Sequence, residues 1–160
     1  MTMRQTFGAM TIALGVFMAG PGTALDGPRL QIRQDFIQVL ASGDAMLAAQ
    51  SDFNAAKADG DRDRMERAAF DLLMASASAS FWSAMLDESV TPRNTNAETD
   101  RKVSELRTLS GGVLERLLPI IVAGDFDALT ARLDESAESV NSFGALTRGI
   151  SGLPGLRDLA

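Results

Sequence analysis

The chain predicts an all-α fold, an antiparallel up-and-down four-helix bundle that follows a cleaved signal peptide. Three observations carry this expectation. From Pro28 onward apolar residues recur at intervals of three and four, and almost nowhere at the interval of two that a half-buried strand shows. Gly-Asp turns and one long polar loop divide that stretch into four segments. The composition, 46% hydrophobic and 22% charged over 160 residues, is that of one soluble domain with one core.

Residues 1–24 read as the signal peptide. "MTMRQTFGAMTIALGVFMAGPGTALDG" opens with a single charge, Arg4, and continues with an uncharged, largely apolar run over residues 7–20. Pro21-Gly22 breaks a helix, and Gly22-Thr23-Ala24 presents small residues to a signal peptidase, so cleavage is expected after Ala24. The run is shorter than the roughly 20 residues of a membrane span, and no Cys follows it to carry a lipid. The expected location is periplasmic, with residues 25–148 as the bundle domain and 149–160 as a Gly- and Pro-containing tail.

Pro28 suits the first position of a helix, where its missing N–H is no loss. In the first segment Ile32, Phe36, Val39, Gly43, Met46 and Phe53 form one stripe interrupted by Gln50, with Ile37, Leu40 and Leu47 flanking it. Asp59-Gly60 marks a turn, and Asp61 is placed to cap the second segment, over residues 62–86. There Met65, Ala69, Leu72, Leu73, Ala79, Trp82 and Leu86 are available for the core. The run "ASASAS" at 75–80 removes bulk from both sides, letting a neighbouring helix approach closely or leaving room for a ligand.

"DESVTPRNTNAETD" is the clearest loop, with Pro92 in its middle and Thr95 and Glu98 spaced as a capping box for the third helix. Val103, Leu106, Val113, Leu117 and Ile120 make that helix's stripe, widened by Leu109, Leu114, Leu118 and Ile121. Gly111-Gly112 and Pro119 predict a bend in it. Gly124-Asp125 ends it and caps the next within two residues, which forces antiparallel neighbours. The fourth segment turns Phe126, Leu129, Leu133, Val140, Phe143 and Leu146 inward. No internal repeat and no second domain is apparent.

Composition excludes several chemistries. His, Cys and Tyr are all absent, so the chain has no thiolate nucleophile, no imidazole base, no Ser-His-Asp triad, no zinc site of the common kind and no disulfide. The formal charge is −6, and loss of the one positive charge at Arg4 makes the mature chain more acidic still. Nucleic acid and anionic lipid are poor partners for it. "DGDRDRME" alternates acids, but counted from Asp59 an EF-hand loop would need Gly where Arg64 stands and Glu where Phe70 stands. Asp134, Glu135 and Glu138 fall on an exposed face, and a di-metal bundle site would need His beside them. Met46, Met65, Met74 and Met85 sit at helical spacing, the pattern of core filling more than of soft-metal ligation.

Three short stretches, "LQIRQDFIQVL", "VAGDFDALTARL" and "NSFGALTR", resemble the cytochrome c-prime family of haem c four-helix bundles over about residues 29–150. In that family the last helix ends in C-x-x-C-H, and here Phe143, Gly144, Ala145, Leu146 and Thr147 occupy the aligned places. Covalent haem needs two thiols and an imidazole, and none of these residues supplies either. The resemblance therefore implies the fold, a tendency to pair as a homodimer, and a vestigial haem position lined by Arg33, Ile37, Phe143, Leu146 and Thr147, with no catalytic, metal or cofactor-binding residue. A b-type four-helix cytochrome has the same layout and would need its ligand His near Gly144. Arg33 reads either as a clamp for an anion or as a snorkelling side chain. The expectation is a noncatalytic binding protein for a periplasmic protein partner or a small apolar ligand. The alternative is a cytochrome-like protein holding haem noncovalently for electron transfer or gas binding.

Overall fold

A computed structural model of the chain describes residues 27–90 and 96–150, apart from the side chains of Pro28 and Phe126. The predicted signal peptide, the loop residues Pro92 and Thr95, and the tail from residue 151 lie outside the described residues. Four helices account for nearly all of the rest: α1 (Gly27–Asp59), α2 (Arg62–Val90), α3 (Ala97–Ala123) and α4 (Phe126–Ile150). No strand occurs among the described residues. Each helix packs on its sequence neighbour, and α4 returns to α1, so the bundle is antiparallel and closed.

The turns form where the local sequence permits them. Gly60 and Gly124 adopt φ of 70° and 69°, a left-handed conformation that a Cβ would strain. The Gly124 N–H reaches back to the Ile120 and Ile121 carbonyls, ending α3. Asp61 and Asp125 then start the next helices by accepting from the Arg64 and Ala128 amides, each at 3.0 Å. For α3 the cap is Asn96, whose side chain accepts from Glu98 N at 3.0 Å and Thr99 N at 3.3 Å. The first α2 turn is tied back to α1 by Arg64, which pairs with Asp52 and Asp59. Hydrogen bonding to Asp52 and the attraction of that carboxylate raise the Arg64 pKa above the ordinary guanidinium value.

The predicted stripes are the core. Val39, Met46, Phe53, Leu72, Ala79, Leu86, Val103, Leu106, Val113, Leu117, Leu133, Val140 and Phe143 are fully buried. α3 stays one helix through Gly111-Gly112 and Pro119, and Pro119 is exposed near its end. α4 runs two residues past the expected bundle boundary, because Ile150 is fully buried and completes the apolar register.

Small residues set how closely the helices approach. Ser42 Oγ on α1 lies 2.9 Å from Ser78 Oγ on α2. A Cβ on Gly111 would meet Ser80 Oγ at 3.9 Å, so α3 reaches the other side of the same Ala-Ser run. Ser76, Ser110 and Ser136, all buried, donate to their own helix carbonyls four residues back at 2.7–2.9 Å and so need no partner across the interface. Against α4, Gly43 meets Phe143 and Thr147, and a Cβ on Gly144 would fall 2.6 Å from Leu47 Cδ1 and 3.1 Å from its Cγ.

These contacts distinguish glycines by place. Gly112→Ala, with nothing within 4 Å of its Cβ position, should raise stability by about 0.5–1 kcal/mol through helix propensity. Gly144→Ala should lower it by about 1–2 kcal/mol, since displacing Leu47 outweighs the same propensity gain. Urea unfolding of both variants measures the difference. Asn96→Ala should lose about 1 kcal/mol in the same assay.

Candidate functional site

The place that the resemblance would give to haem is filled by the chain's own side chains on the α4 side. Phe143 is fully buried and Thr147 nearly so, and both lie over Gly43, where a Cβ would meet Phe143 Cε1 at 3.2 Å and Thr147 Oγ1 at 3.3 Å. The Thr147 hydroxyl donates to the Gly144 carbonyl at 3.0 Å. Leu146 is half-buried and packs against the core. On α1, Arg33 is half-exposed and engages a partner group, whereas Ile37 is 47% exposed. Phe143 and Thr147 are thus brought together, while Ile37 faces solvent.

The other sequence candidates separate in a similar way. Met46 is fully buried and Met74 is 54% exposed, with Met65 and Met85 half-buried. Met65, Met74 and Met85 are nine and eleven residues apart along α2, about 13 and 16 Å of helical rise, so they occupy separate levels of the helix. No group of three or more Asp or Glu side chains converges on a common point among the described residues. Asp134 is exposed and pairs with Lys57 at 2.7 Å, and Glu135 pairs with Arg132.

Of three further buried polar residues, Asp35 and Ser83 give no signal in the apolar pattern, whereas Gln50 does. Asp35 is fully buried between the start of α1 and the end of α2, accepting from Gln31 Nε2 at 2.7 Å and Ser89 Oγ at 2.9 Å. Gln50, the interruption in the α1 stripe, is buried, and its Oε1 has no hydrogen-bond partner; neither has Ser83 Oγ. The position of Gln50 in the stripe already placed it inside.

The larger open feature lies on the outside of α1 and α2. A groove of about 670 Å³ runs between them, floored by Ala41, Ser42, Ala45, Ala49 and Ala75. Met74 lines it, and Asp52 and Asp71 stand among its lining residues. Beside it Phe81 is 56% exposed and stacks edge-on against half-buried Trp82, with ring centres 5.0 Å apart. Residues 72–86 of α2 carry no charge at all, although a surface helix normally presents charged residues to water. A smaller hollow of about 230 Å³ lies where Phe70 meets Ile120, Ile121 and Leu129, rimmed by Glu66 and Asp125.

With this geometry in view, comparison with protein-family models, with characterised proteins and with solved structures finds no match to the chain. The class it defines is an all-α four-helix bundle with a largely apolar outer groove that carries Asp52 and Asp71 among its lining residues.

Two substitutions test the filled position and the unpaired amide. Phe143→Ala should lower stability by about 3–5 kcal/mol, the effect of a cavity opened in a packed core. Gln50→Met should raise it by about 1 kcal/mol, because a similar volume is kept and an unpartnered buried carbonyl is removed. Both are read from the urea midpoint at unchanged slope.

Proposed function

We propose that the protein is a noncatalytic, periplasmic binding bundle, a scaffold of cytochrome c-prime type without covalent haem, and that it binds through the outer face of α1 and α2. The observation that carries this reading is the α1–α2 groove. It is apolar, uncharged along most of its length, and of a size that takes a small apolar ligand or the ridge of a partner helix. The lack of His and Cys supports a role without group transfer or metal ligation of the usual kinds. The start of the chain, read as an export signal, supports the periplasmic assignment. Phe143 and Thr147 packed on Gly43 favour the outer groove over the vestigial haem position as the place of binding.

A neutral apolar dye such as Nile red tests the reading. At nanomolar protein its emission should rise with a micromolar Kd, and Ala45→Arg in the groove should abolish the rise. Ala131→Arg, on the exposed side of α4, should leave it unchanged. Dye uptake indifferent to Ala45→Arg would place binding elsewhere. The same preparation, purified from haem-replete cells, should show no Soret band, and a stoichiometric band would establish the noncovalent cytochrome instead.

A further inference from the structure

We infer that the partner seated on the α1–α2 outer face is a cationic amphipathic helix of another protein. The inference rests on the reading that this face is the binding surface, and adds to it the chemistry of the occupant. It starts from where bases are missing. Residues 34–56 of α1 and 68–90 of α2, which form the two walls of the groove, include no Lys or Arg, and every charged residue there is Asp or Glu. Of these, Asp35 is buried and Asp87 is held by Arg107 of α3, whereas Asp44, Asp71 and Glu88 are exposed.

Acids also gather where the groove ends. Asp52 and Asp71 line the groove itself, and Asp71 further lines an adjoining hollow of about 630 Å³ with Asp63, Glu66, Arg67 and Phe70. The cations close by do not balance them. Arg64 pairs with Asp52 and Asp59, Arg62 with Glu66, and Arg67 donates from Nε to the Asp63 carbonyl at 3.2 Å. Between residues 52 and 71 six acids stand against four bases, and one of the four, Lys57, is engaged by Asp134 of α4. With a net charge of −6 over the whole chain, this face attracts a basic partner and repels an acidic one.

Shape selects a helix. A small-molecule site encloses most of its ligand's surface, whereas the furrow between two helices is open along its outer side. A helix brings a ridge of its own to fill it. From Gln38 to Asp52 the α1 wall extends about 21 Å at 1.5 Å per residue, the length of about four helical turns. Ala41, Ala45, Ala48 and Ala49 let the incoming side chains come close to the α1 backbone. Met74 and Phe81, both more than half exposed, stand at the sides, and Met74 adapts its shape to what it meets. A second copy of this chain is a poor occupant, because it would bring the same acidic walls to the contact.

The probe is a fluorescein-labelled, amidated peptide of about 16 residues, with leucines one helical turn apart and lysines flanking them. Its anisotropy is followed as the protein is titrated in at about 20 mM salt. A Kd of about 10 µM is expected. A sister peptide with glutamine in place of lysine should bind about 10-fold more weakly, and one with glutamate should not bind. Nor should a lysine peptide with serine in place of leucine. Asp71→Asn should lower the preference for lysine over glutamine about 3-fold, in the range of an exposed ion pair, with the Kd of the glutamine peptide and the circular dichroism unchanged. Ala45→Arg should abolish binding of both peptides, and Ala131→Arg should leave both unchanged. At about 0.5 M salt the preference should disappear.

Equal affinity for the lysine and glutamine peptides, binding of the serine peptide, a preference indifferent to Asp71→Asn, or binding indifferent to Ala45→Arg would each overturn the inference. Displacement of Nile red by dodecyltrimethylammonium and not by the lysine peptide would make the ligand a small amphiphile and overturn it too, as would a self-associated chain whose groove excludes the peptide. Ala45-dependent dye uptake without peptide binding would overturn this inference alone and leave the binding face standing. Loss of dye uptake and peptide binding together would remove both.

Discussion

The close approach of α1 to its two neighbours is the constraint on which the rest of the structure depends. On one side Gly43 and Gly144 let α4 come near enough for Phe143 and Leu47 to seat on backbone. On the other, Ser42 meets Ser78 of α2. A bundle with no cysteine cannot be stapled, so its stability comes from core packing and the dispersion contacts that such spacing allows. Buried Ser76, Ser110 and Ser136 fit this scheme because they satisfy their hydroxyls on their own helix backbone, which keeps the contacts small without a polar demand on the neighbouring helix.

That packing bears directly on function. In a haem-bearing bundle the interior beside the last helix must stay open for a macrocycle. Here the residues at that place are apolar or self-bonded, and Phe143 is fully enclosed. The open space lies on the exterior instead, where the same Ala-rich surface of α1 that makes room for α2 continues outward as the floor of a groove. The apolar side chains left in water on α2 need a different account from those of the core. They interrupt no stripe and carry no charge, and exposed apolar side chains grouped in this way are the kind of surface that a partner can cover.

Much of this was legible from residue order. The helical stripes named Phe36, Val39, Met46, Leu72, Leu117, Leu133 and Phe143 as interior, and all are buried. The Gly-Asp pairs named both tight turns, since only glycine takes the left-handed backbone there without strain and aspartate caps the following helix. Asn96 as the α3 cap was less legible, because Thr95, Asn96 and the acid that follows offer overlapping cap frames. Asp35 was not legible at all. Its burial depends on Ser89, 54 positions away, and no local pattern encodes a donor that distant. Ile37 was assigned to the flank of the stripe and to the vestigial cavity, yet it is nearly half exposed, since one residue of helical rotation carries a side chain by about 100°.

Residue order by itself determined the helical class, the turn positions, the core face of each helix and the absence of imidazole and thiol chemistry, because these follow from periodicity, backbone sterics and composition. Only the tertiary structure decided which faces stay uncovered. An apolar residue on a helix reads the same whether a neighbour lies over it or water does, and the outcome for Met74, Phe81 and Val140 was set by where the other three helices stand. The same holds for Phe143, whose burial over Gly43 depends on a crossing between two helices a hundred residues apart in the chain.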